Sequence, residues 1–209
     1  MLQSVSTATL VDALAARQEG GRAAIRAAAM LFIAALTAAA AQISVPLPFT
    51  VVPFTFQPMI VLLGGLALGS RLGFSSQALY LLAGIAGLPV FAASATLPPG
   101  PLRLIGPTGG YLMAYPLAAF VVGYLAERGL DRRYITSVLA MSAGLAVVYV
   151  CGVIWLGIMA RPSPEAAPIG IHGAFATGVL PFIMADLLKL LAAAAVLPAV
   201  WRLVGSRHQ

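Results

Sequence analysis

Two ionisable side chains, Asp186 and Lys189, lie in an otherwise apolar stretch from Pro181 to Trp201. The stretch is long enough to cross a bilayer, and Lys189 is the only lysine in the chain. A charge near the centre of a membrane helix costs about 2.5 to 3.5 kcal/mol on insertion scales, so a pair of charges there needs a physical reason. Their spacing places both side chains on one face of a helix.

The chemistry of the pair allows three interpretations. Lys189 can donate to a carboxylate and Asp186 can accept from amide-like N–H groups, which favours a binding site for a polar small molecule. The two charges could instead neutralise each other and fill a gap in a helix bundle, or they could belong to a proton relay. A relay usually links several ionisable groups, and no other lies in a predicted span. We therefore favour binding.

Other polar and glycine residues are candidates for the same site. The amide of Gln57 can pair with a ureido or amide group, or cap the helix that follows it. The adjacent glycines Gly109 and Gly110, with Tyr111 after them, would let backbone N–H groups approach a ligand, although an ordinary loop-to-helix boundary has the same pattern. Tyr149 can face the same cavity or donate to a backbone carbonyl.

The sequence predicts neither catalytic residues nor a metal site. His172 is isolated in a loop, and no histidine lies in a predicted helix to act as base for a serine nucleophile. The single cysteine, Cys151, excludes a disulfide framework and a multi-cysteine metal site. A P-loop is absent from the sequence, so the chain cannot itself hydrolyse ATP. We expect a protein that is not an enzyme and has no cofactor.

Composition indicates an all-α membrane protein. Hydrophobic residues make up 61% of the 209 residues and charged residues only 9%, against about 25% charged in soluble domains. The long apolar segments predict helices, since a membrane barrel would show short alternating strands. The net charge of +6 is therefore interpreted as membrane topology and not as affinity for nucleic acid.

Six transmembrane helices are predicted between loops rich in proline and glycine. They run at about 23–43, 59–68, from a turn at 69–73 to 88, 110–125, 135–159, and along the stretch that carries the charged pair. The long loops are 44–58, 89–108 and 161–173. We expect three regions: a tail over 1–22, a membrane domain over 23–203 and a tail over 204–209.

Charge distribution sets the predicted orientation. Six crossings put both termini on one side, together with nine arginines, whereas Arg103 and Arg161 lie on the other side. The positive-inside rule then makes both termini cytoplasmic and the three long loops extracytoplasmic. Asp186 would lie about 12 to 15 Å below the outer end of its helix. The nine arginines are Arg17, Arg22, Arg26, Arg71, Arg128, Arg132, Arg133, Arg202 and Arg207.

Five segments, in order, resemble one known family. They are Ala34–Pro48, Val52–Gln57, Gly84–Phe91, Gly106–Tyr111 and Leu180–Lys189. These segments are similar to the BioY family, the substrate-binding (S) subunits of energy-coupling factor (ECF) transporters for biotin, and the resemblance covers about Ile25 to Trp201. One departure is Phe56, where a leucine is expected.

The resemblance implies capture of biotin from outside the bacterial cytoplasmic (inner) membrane, with a transmembrane coupling protein and two ABC-type ATPases as partners. It implies that Asp186 and Lys189 bind the ligand and that the loop ending at Tyr111 helps to close the site. The alanine-rich first helix, with Ala24 and Ala28 as one small-residue pair, would dock the coupling protein.

Three further expectations concern the ligand, the assembly and the alternative function. Biotin has a carboxylate and a ureido ring, and we expect Lys189 to meet the carboxylate. A subunit that acts alone could form a homo-oligomer. The alternative function is another small-molecule permease or channel, or an intramembrane enzyme, that uses the Asp186 and Lys189 pair.

Overall fold

The computed structural model describes residues 9–16, 21–93, 100–160 and 167–205. Parts of the predicted tails and outer loops, with Arg17, Arg161 and Arg207, lie outside the described residues. The described chain is nearly all helical, with one pair of short strands. Its elements are α1 (Leu10–Ala15), α2 (Arg22–Gln42), β1 (Ser44–Val45), β2 (Phe54–Thr55), α3 (Gln57–Leu68), α4 (Ser70–Ile85), α5 (Leu102–Ile105), α6 (Gly109–Leu125), a π-helical turn (Ala126–Leu130), α7 (Tyr134–Met159), α8 (Gly170–Gly178), α9 (Leu180–Ala194) and α10 (Val196–Gly205).

Four described segments are long and apolar enough to cross a membrane: Arg22–Gln42, Gly109–Leu130, Tyr134–Met159 and Leu180–Leu203. The helices α3 and α4 have 12 and 16 residues, so they are about 18 and 24 Å long. Both are shorter than the hydrocarbon core of about 30 Å. The chain is therefore a multi-pass helical membrane protein with four spans of full length among its described residues.

The predicted bounds of three helices are confirmed within one residue, namely those of α2, α6 and α7. Each of these helices is a largely apolar run that ends at a polar or glycine-containing segment. The helix α3 begins two residues earlier than predicted, at Gln57. Pro58 fits there because the first turn of a helix does not use its N–H groups.

The predicted turn over 69–73 is wrong, because only Gly69 departs from helical geometry, with φ of 83°. The helix α4 begins at Ser70, so Arg71 lies inside it. The carboxylate of Glu127 accepts hydrogen bonds from the Ser70 backbone N–H at 2.7 Å and from its hydroxyl at 2.8 Å. A distant side chain therefore caps this helix, which local sequence does not reveal.

The predicted sixth span is found as Leu180–Leu203, and a separate helix, α8, precedes it where a loop was predicted up to residue 173. Val179 has non-helical φ and ψ of −126° and −57°, and it separates α8 from α9. A second, milder break lies at Ala195, shortly before Pro198, which has no N–H to donate to the preceding turn. As a result, Asp186 lies six residues after the first residue of α9, or about 9 Å along it.

The helix α6 lies at the centre of the bundle and packs against α3, α4 and α7. Its residues Ala118, Ala119 and Val122 are fully buried. A β-carbon on Gly123 would lie 2.2 Å from the carbonyl carbon of Gly69, so glycine lets α6 approach the junction of α3 and α4. This packing positions α7 and α9, which carry the charged site, against the same core.

The proline-rich loop after α2 forms a hairpin. Its strands β1 and β2 pair antiparallel, with Ser44 opposite Thr55 and Val45 opposite Phe54. The sequence predicts a long loop over 44–58, and the strand pairing is an addition to that prediction. Together with α5, the hairpin borders the cavities described next.

Candidate ligand-binding site

The side chains of Tyr149, Asp186 and Lys189 meet where α7 and α9 pack together. One carboxylate oxygen of Asp186 accepts a hydrogen bond from the Tyr149 hydroxyl at 2.6 Å, and the other accepts from Lys189 Nζ at 2.6 Å. Asp186 is buried, with 8% of its surface exposed. Tyr149 thus donates to a carboxylate and not to a backbone carbonyl, and three residues selected from sequence lie in one hydrogen-bonded group.

The ammonium group of Lys189 has further partners in the hairpin. It donates to the backbone carbonyl of Thr55 at 2.8 Å and lies 3.8 Å from the centroid of the Phe54 ring. The Phe56 ring centroid is 5.3 Å away. An ammonium group has three N–H donors, and here its partners are the carboxylate, the carbonyl and the aromatic ring faces.

A cavity of about 330 Å³ lies between the hairpin and the helices α5 and α6. This volume is within the range of pockets that bind small molecules. Apolar side chains form most of its wall, including Leu47, Val52 and Phe91. Its polar wall consists of Thr50, Thr55, Gln57, Arg103, Thr108, Tyr111 and Tyr115.

A smaller cavity of about 50 Å³ adjoins the first, and Asp186 and Tyr149 line it. Neither described cavity includes Lys189 in its wall. The two cavities have Val52, Pro53, Thr55, Tyr111 and Tyr115 in common. Asp186 therefore lines only the smaller cavity, and Arg103 and Gln57 line only the larger one.

Gln57 and Tyr111 are each fixed by a hydrogen bond next to the cavities. The Gln57 amide donates to the Tyr80 hydroxyl at 2.6 Å and is nearly fully buried, so it does not cap its own helix. The Tyr111 hydroxyl donates to the carbonyl of Gly178 at 3.1 Å, which ties α6 to the end of α8. Both side chains combine a fixed hydrogen bond with a surface that faces a cavity.

Gly109 and Gly110 lie behind the site and do not line either described cavity. A β-carbon on Gly109 would lie 1.7 Å from the Leu104 carbonyl oxygen, and one on Gly110 would lie 2.2 Å from Trp155 Cβ. The Trp155 indole N–H also donates to the Gly106 carbonyl at 2.8 Å. These contacts fix the start of α6 against α5 and α7, so the glycines position Tyr111.

Arg103 lines the larger cavity, although its position in the sequence indicates only membrane topology. It lies in α5, is 8% exposed and lines the larger cavity. Burial lowers the pKa of Arg103 from its ordinary value, but a guanidinium remains charged at neutral pH. The sequence contained one indication of this role, because Arg103 is the only charged residue between Arg71 and Glu127.

The remaining candidates lie away from the cavities. Ala24 and Ala28 are exposed on α2, on the same helix as the exposed side chains Leu31 and Phe32. Over the part of the chain that the structure describes, no group of three or more His, Cys, Asp or Glu residues is arranged to hold a metal ion. The hydrogen-bonding and charged side chains of the site are suited to binding a polar molecule.

Comparison with known proteins assigns the family. Residues 11–206 match the model of the family described as the BioY family. The chain belongs to the BioY family. A relative named "Probable biotin transporter BioY" from Pyrococcus horikoshii is 43% identical over 169 residues, which cover 81% of this chain and 90% of the relative. The "Biotin transporter BioY" of Thermotoga maritima is 38% identical over 162 residues, which cover 78% and 87%.

The fold of this BioY chain also matches a solved structure. That structure is described as the S-component for biotin from an ECF-type ABC transporter. The TM-score is 0.77 at 21% identity, and the match covers 88% of this chain and 95% of the other. At this identity the match shows the fold alone. The relatives of this BioY chain are named as transporters, which confirms the prediction of a transport protein and not an enzyme.

Proposed function

We propose that this BioY chain captures biotin from the outer side of the membrane. It would take part in biotin uptake as an S component. Its relatives are named biotin transporters, and they match most of its length. The observation that carries the proposal is the pair of adjoining cavities, of which the larger is lined by a buried cation, Arg103, and the smaller by a buried carboxylate, Asp186. Biotin has a carboxylate at one end and a ureido ring with N–H donors at the other.

This geometry supports an orientation for the ligand. The Asp186 carboxylate has lone pairs beyond those used by Tyr149 and Lys189, so it can accept from ureido N–H groups. Arg103 lines the larger cavity and can pair with the biotin carboxylate. We had expected Lys189 to meet the carboxylate, but its ammonium group is directed to Asp186, Thr55 and Phe54. We place the carboxylate at Arg103, because Arg103 lines the larger cavity and Lys189 lines neither described cavity.

Titration of the purified protein in detergent with biotin and with biotin methyl ester tests both parts of the proposal. We expect the native protein to bind biotin at micromolar concentration or below, and the ester more weakly by roughly 10- to 150-fold. That range corresponds to about 1.5–3 kcal/mol for a hydrogen bond to a charged group. The variant Arg103→Gln should bind biotin and the ester equally weakly, because it lacks the cation that separates them.

The matched control is Arg71→Gln, since Arg71 is exposed and lies on neither cavity. It should bind biotin as the native protein does. Absence of biotin binding by the native protein at micromolar concentration would refute the function. Equal native affinity for biotin and the ester would refute the orientation at Arg103 while leaving the function intact.

We further propose six crossings with both termini in the cytoplasm of a bacterium. The short helices α3 and α4 pack against each other across Gly69 and would form the second and third crossings. The excess of arginines on the side of the termini supports the orientation. A membrane-impermeant maleimide should label Phe49→Cys in whole cells, in a Cys151→Ala background, since Phe49 is exposed in the hairpin. Labelling only after the cells are opened would reverse the orientation.

We propose that α2 docks a transmembrane coupling protein, which acts with two ABC-type ATPases. Its exposed face presents Ala24 and Ala28 one turn apart, and small residues allow close helix packing. We expect Ala28→Leu to reduce co-purification of the coupling protein at least several-fold while biotin affinity stays unchanged. Ala192→Leu, at an exposed alanine of α9, is the matched control. Equal co-purification of both variants would contradict docking at α2.

A further inference from the structure

The turn between α6 and α7 carries an exposed arginine, Arg128, whose neighbouring acids are directed into the protein. Glu127 accepts hydrogen bonds from the backbone N–H and the hydroxyl of Ser70. Asp131 is completely buried and accepts from the Trp201 indole. Among the described residues, the ion pairs do not include Arg128. The positive charge of Arg128 therefore faces outward without a carboxylate of the described chain as its partner.

An aromatic ring holds the Arg128 side chain in place. The central carbon of its guanidinium lies 3.3 Å from the centroid of the Tyr124 ring, and Nη1 donates to the Tyr124 backbone carbonyl at 3.1 Å. The Tyr124 ring in turn stacks on Phe120, with the ring centroids 6.2 Å apart. A guanidinium has several N–H donors in a planar fork, so the contact with one carbonyl leaves donors for an anion.

An exposed apolar stripe continues from this arginine along α6. It consists of Leu117, Phe120 and Tyr124, which are spaced three or four residues apart and so lie on one face of the helix. Because α6 belongs to a segment long enough to cross a membrane, this face contacts acyl chains in a bilayer. Tyrosine is enriched at the level of the lipid head groups. A cation, an interfacial ring and an apolar surface thus follow one another along one helix.

We infer that Arg128 and the stripe of Leu117, Phe120 and Tyr124 form a binding site for one anionic phospholipid. The guanidinium can donate two hydrogen bonds to the lipid phosphate, and the acyl chains can lie along the stripe. A head group with a net negative charge should bind better than phosphatidylcholine, whose choline compensates the phosphate. The proposed docking helix for the coupling protein, α2, packs against α3 and α4, so the lipid and the coupling protein would use different helices.

Native mass spectrometry of the purified protein in detergent tests this site. The probes are phosphatidylglycerol and phosphatidylcholine with the same acyl chains. We expect the native protein to retain one phosphatidylglycerol roughly 5-fold more tightly than phosphatidylcholine, since a basic residue near anionic lipid contributes about 1 kcal/mol. Arg128→Gln should reduce the affinity for phosphatidylglycerol to that for phosphatidylcholine. Arg128→Lys should restore only part of the preference, because an ammonium group lacks the planar fork.

The matched control is Arg133→Gln, which removes an exposed arginine from the same turn. Among the described residues, the arginines that stack on aromatic rings do not include Arg133. This variant should keep the preference for phosphatidylglycerol. An equal loss in Arg128→Gln and Arg133→Gln would overturn the inference, because the preference would then come from the total charge of the turn.

Two other results would also overturn the inference. Equal retention of both lipids by the native protein would show that the site does not select an anionic head group. Displacement of phosphatidylglycerol by inorganic phosphate at the same concentration would make free phosphate the ligand. If Arg128→Gln does not purify as a folded protein, Tyr124→Leu replaces it. This variant keeps the charge and removes the ring beneath it, and an unchanged preference would count against the inference.

The lipid experiment does not depend on the proposed function. Arg128 lines neither described cavity, so Arg128→Gln should bind biotin as the native protein does. Failure of the native protein to bind biotin would refute the proposed function and leave the lipid result to decide the role of Arg128. A lipid preference that disappears in Arg128→Gln, with unchanged biotin affinity, would support both proposals.

Discussion

Two buried aspartates, Asp131 and Asp186, have similar partners and different surroundings. The Asp131 carboxylate accepts from the Trp201 indole N–H at 2.6 Å and from Arg132 Nε at 3.2 Å. The Asp186 carboxylate accepts from the Tyr149 hydroxyl and from Lys189 Nζ, both at 2.6 Å. Each acid thus has one aromatic donor from another helix and one cation close in sequence.

The difference lies in what the carboxylate faces. Asp131 is completely buried at the turn between α6 and α7, and its contact with Trp201 ties α10 to that turn. The Arg132 guanidinium lies 3.5 Å from the centroid of the Trp201 ring and covers the contact. Asp186 instead forms part of a cavity wall. A buried and paired acid therefore indicates a binding site only where a cavity reaches it.

The largest expected difference between the two aspartates is in biotin affinity. Asp186→Asn should weaken binding by about 2–5 kcal/mol, which is roughly 30-fold or more, because Lys189 loses its counter-ion and the ligand loses a charged acceptor. Asp131→Asn should bind biotin as the native protein does. Isothermal titration of both variants in the same detergent measures the difference.

Size-exclusion chromatography of both variants controls for folding. If Asp131→Asn loses as much affinity as Asp186→Asn while remaining monodisperse, the distinction based on the cavity is wrong. Native affinity in Asp186→Asn would make the Asp186 and Lys189 pair a structural one, which is the self-neutralised interpretation left open from the sequence.

The two aspartates can be distinguished in the sequence for a physical reason. Asp186 interrupts an apolar stretch, so its energetic cost in a membrane is visible in the sequence, and Tyr149 could be associated with it as a polar group in another span. Asp131 belongs to a charged turn, where a charge needs no explanation. The bounds of α2, α6 and α7 were predictable in the same way, from apolar runs between polar segments.

Features that depend on distant residues were not predictable from local sequence. The start of α4 depends on Glu127, which lies far along the chain from Ser70. The strands of the hairpin are too short to show an alternating pattern, and the alignment of Thr55 with Lys189 exists only in three dimensions. Arg103 was visible as an isolated charge, but its burial against a cavity was not.

Replacing the aromatic donor of each aspartate should have effects of intermediate size, on biotin affinity for Tyr149 and on the free energy of unfolding for Trp201. Tyr149→Phe removes one hydrogen bond to Asp186, and we expect biotin affinity to fall about 5- to 10-fold, or about 1–1.5 kcal/mol. Trp201→Phe leaves Asp131 without its indole donor, so the free energy of unfolding should fall by about 1–3 kcal/mol while biotin affinity is unchanged. Titration and thermal unfolding of both variants give the two values. An affinity loss in Trp201→Phe equal to that in Tyr149→Phe would contradict the separation.

The smallest expected effect is a pH dependence of stability that comes from Asp131. Burial raises the pKa of Asp131, and the hydrogen bond from Trp201 and the charge of Arg132 lower it in part. With a raised pKa, the folded protein binds more protons than the unfolded chain between the ordinary aspartate pKa of about 3.9 and the folded value. Stability should therefore decrease as the pH rises through that window and become level above it.

Two variants test this sign by thermal unfolding in detergent between about pH 4 and 7, a range that begins at the ordinary aspartate pKa. Asp131→Asn should remove the decrease, because the amide does not titrate. Arg132→Gln should extend the decrease to higher pH, because the cation that lowers the pKa of Asp131 is absent. The same slope in Asp131→Asn as in the native protein would assign the dependence to other groups. Since Asp131 lines neither described cavity, biotin affinity at neutral pH should be the same in both variants and the native protein.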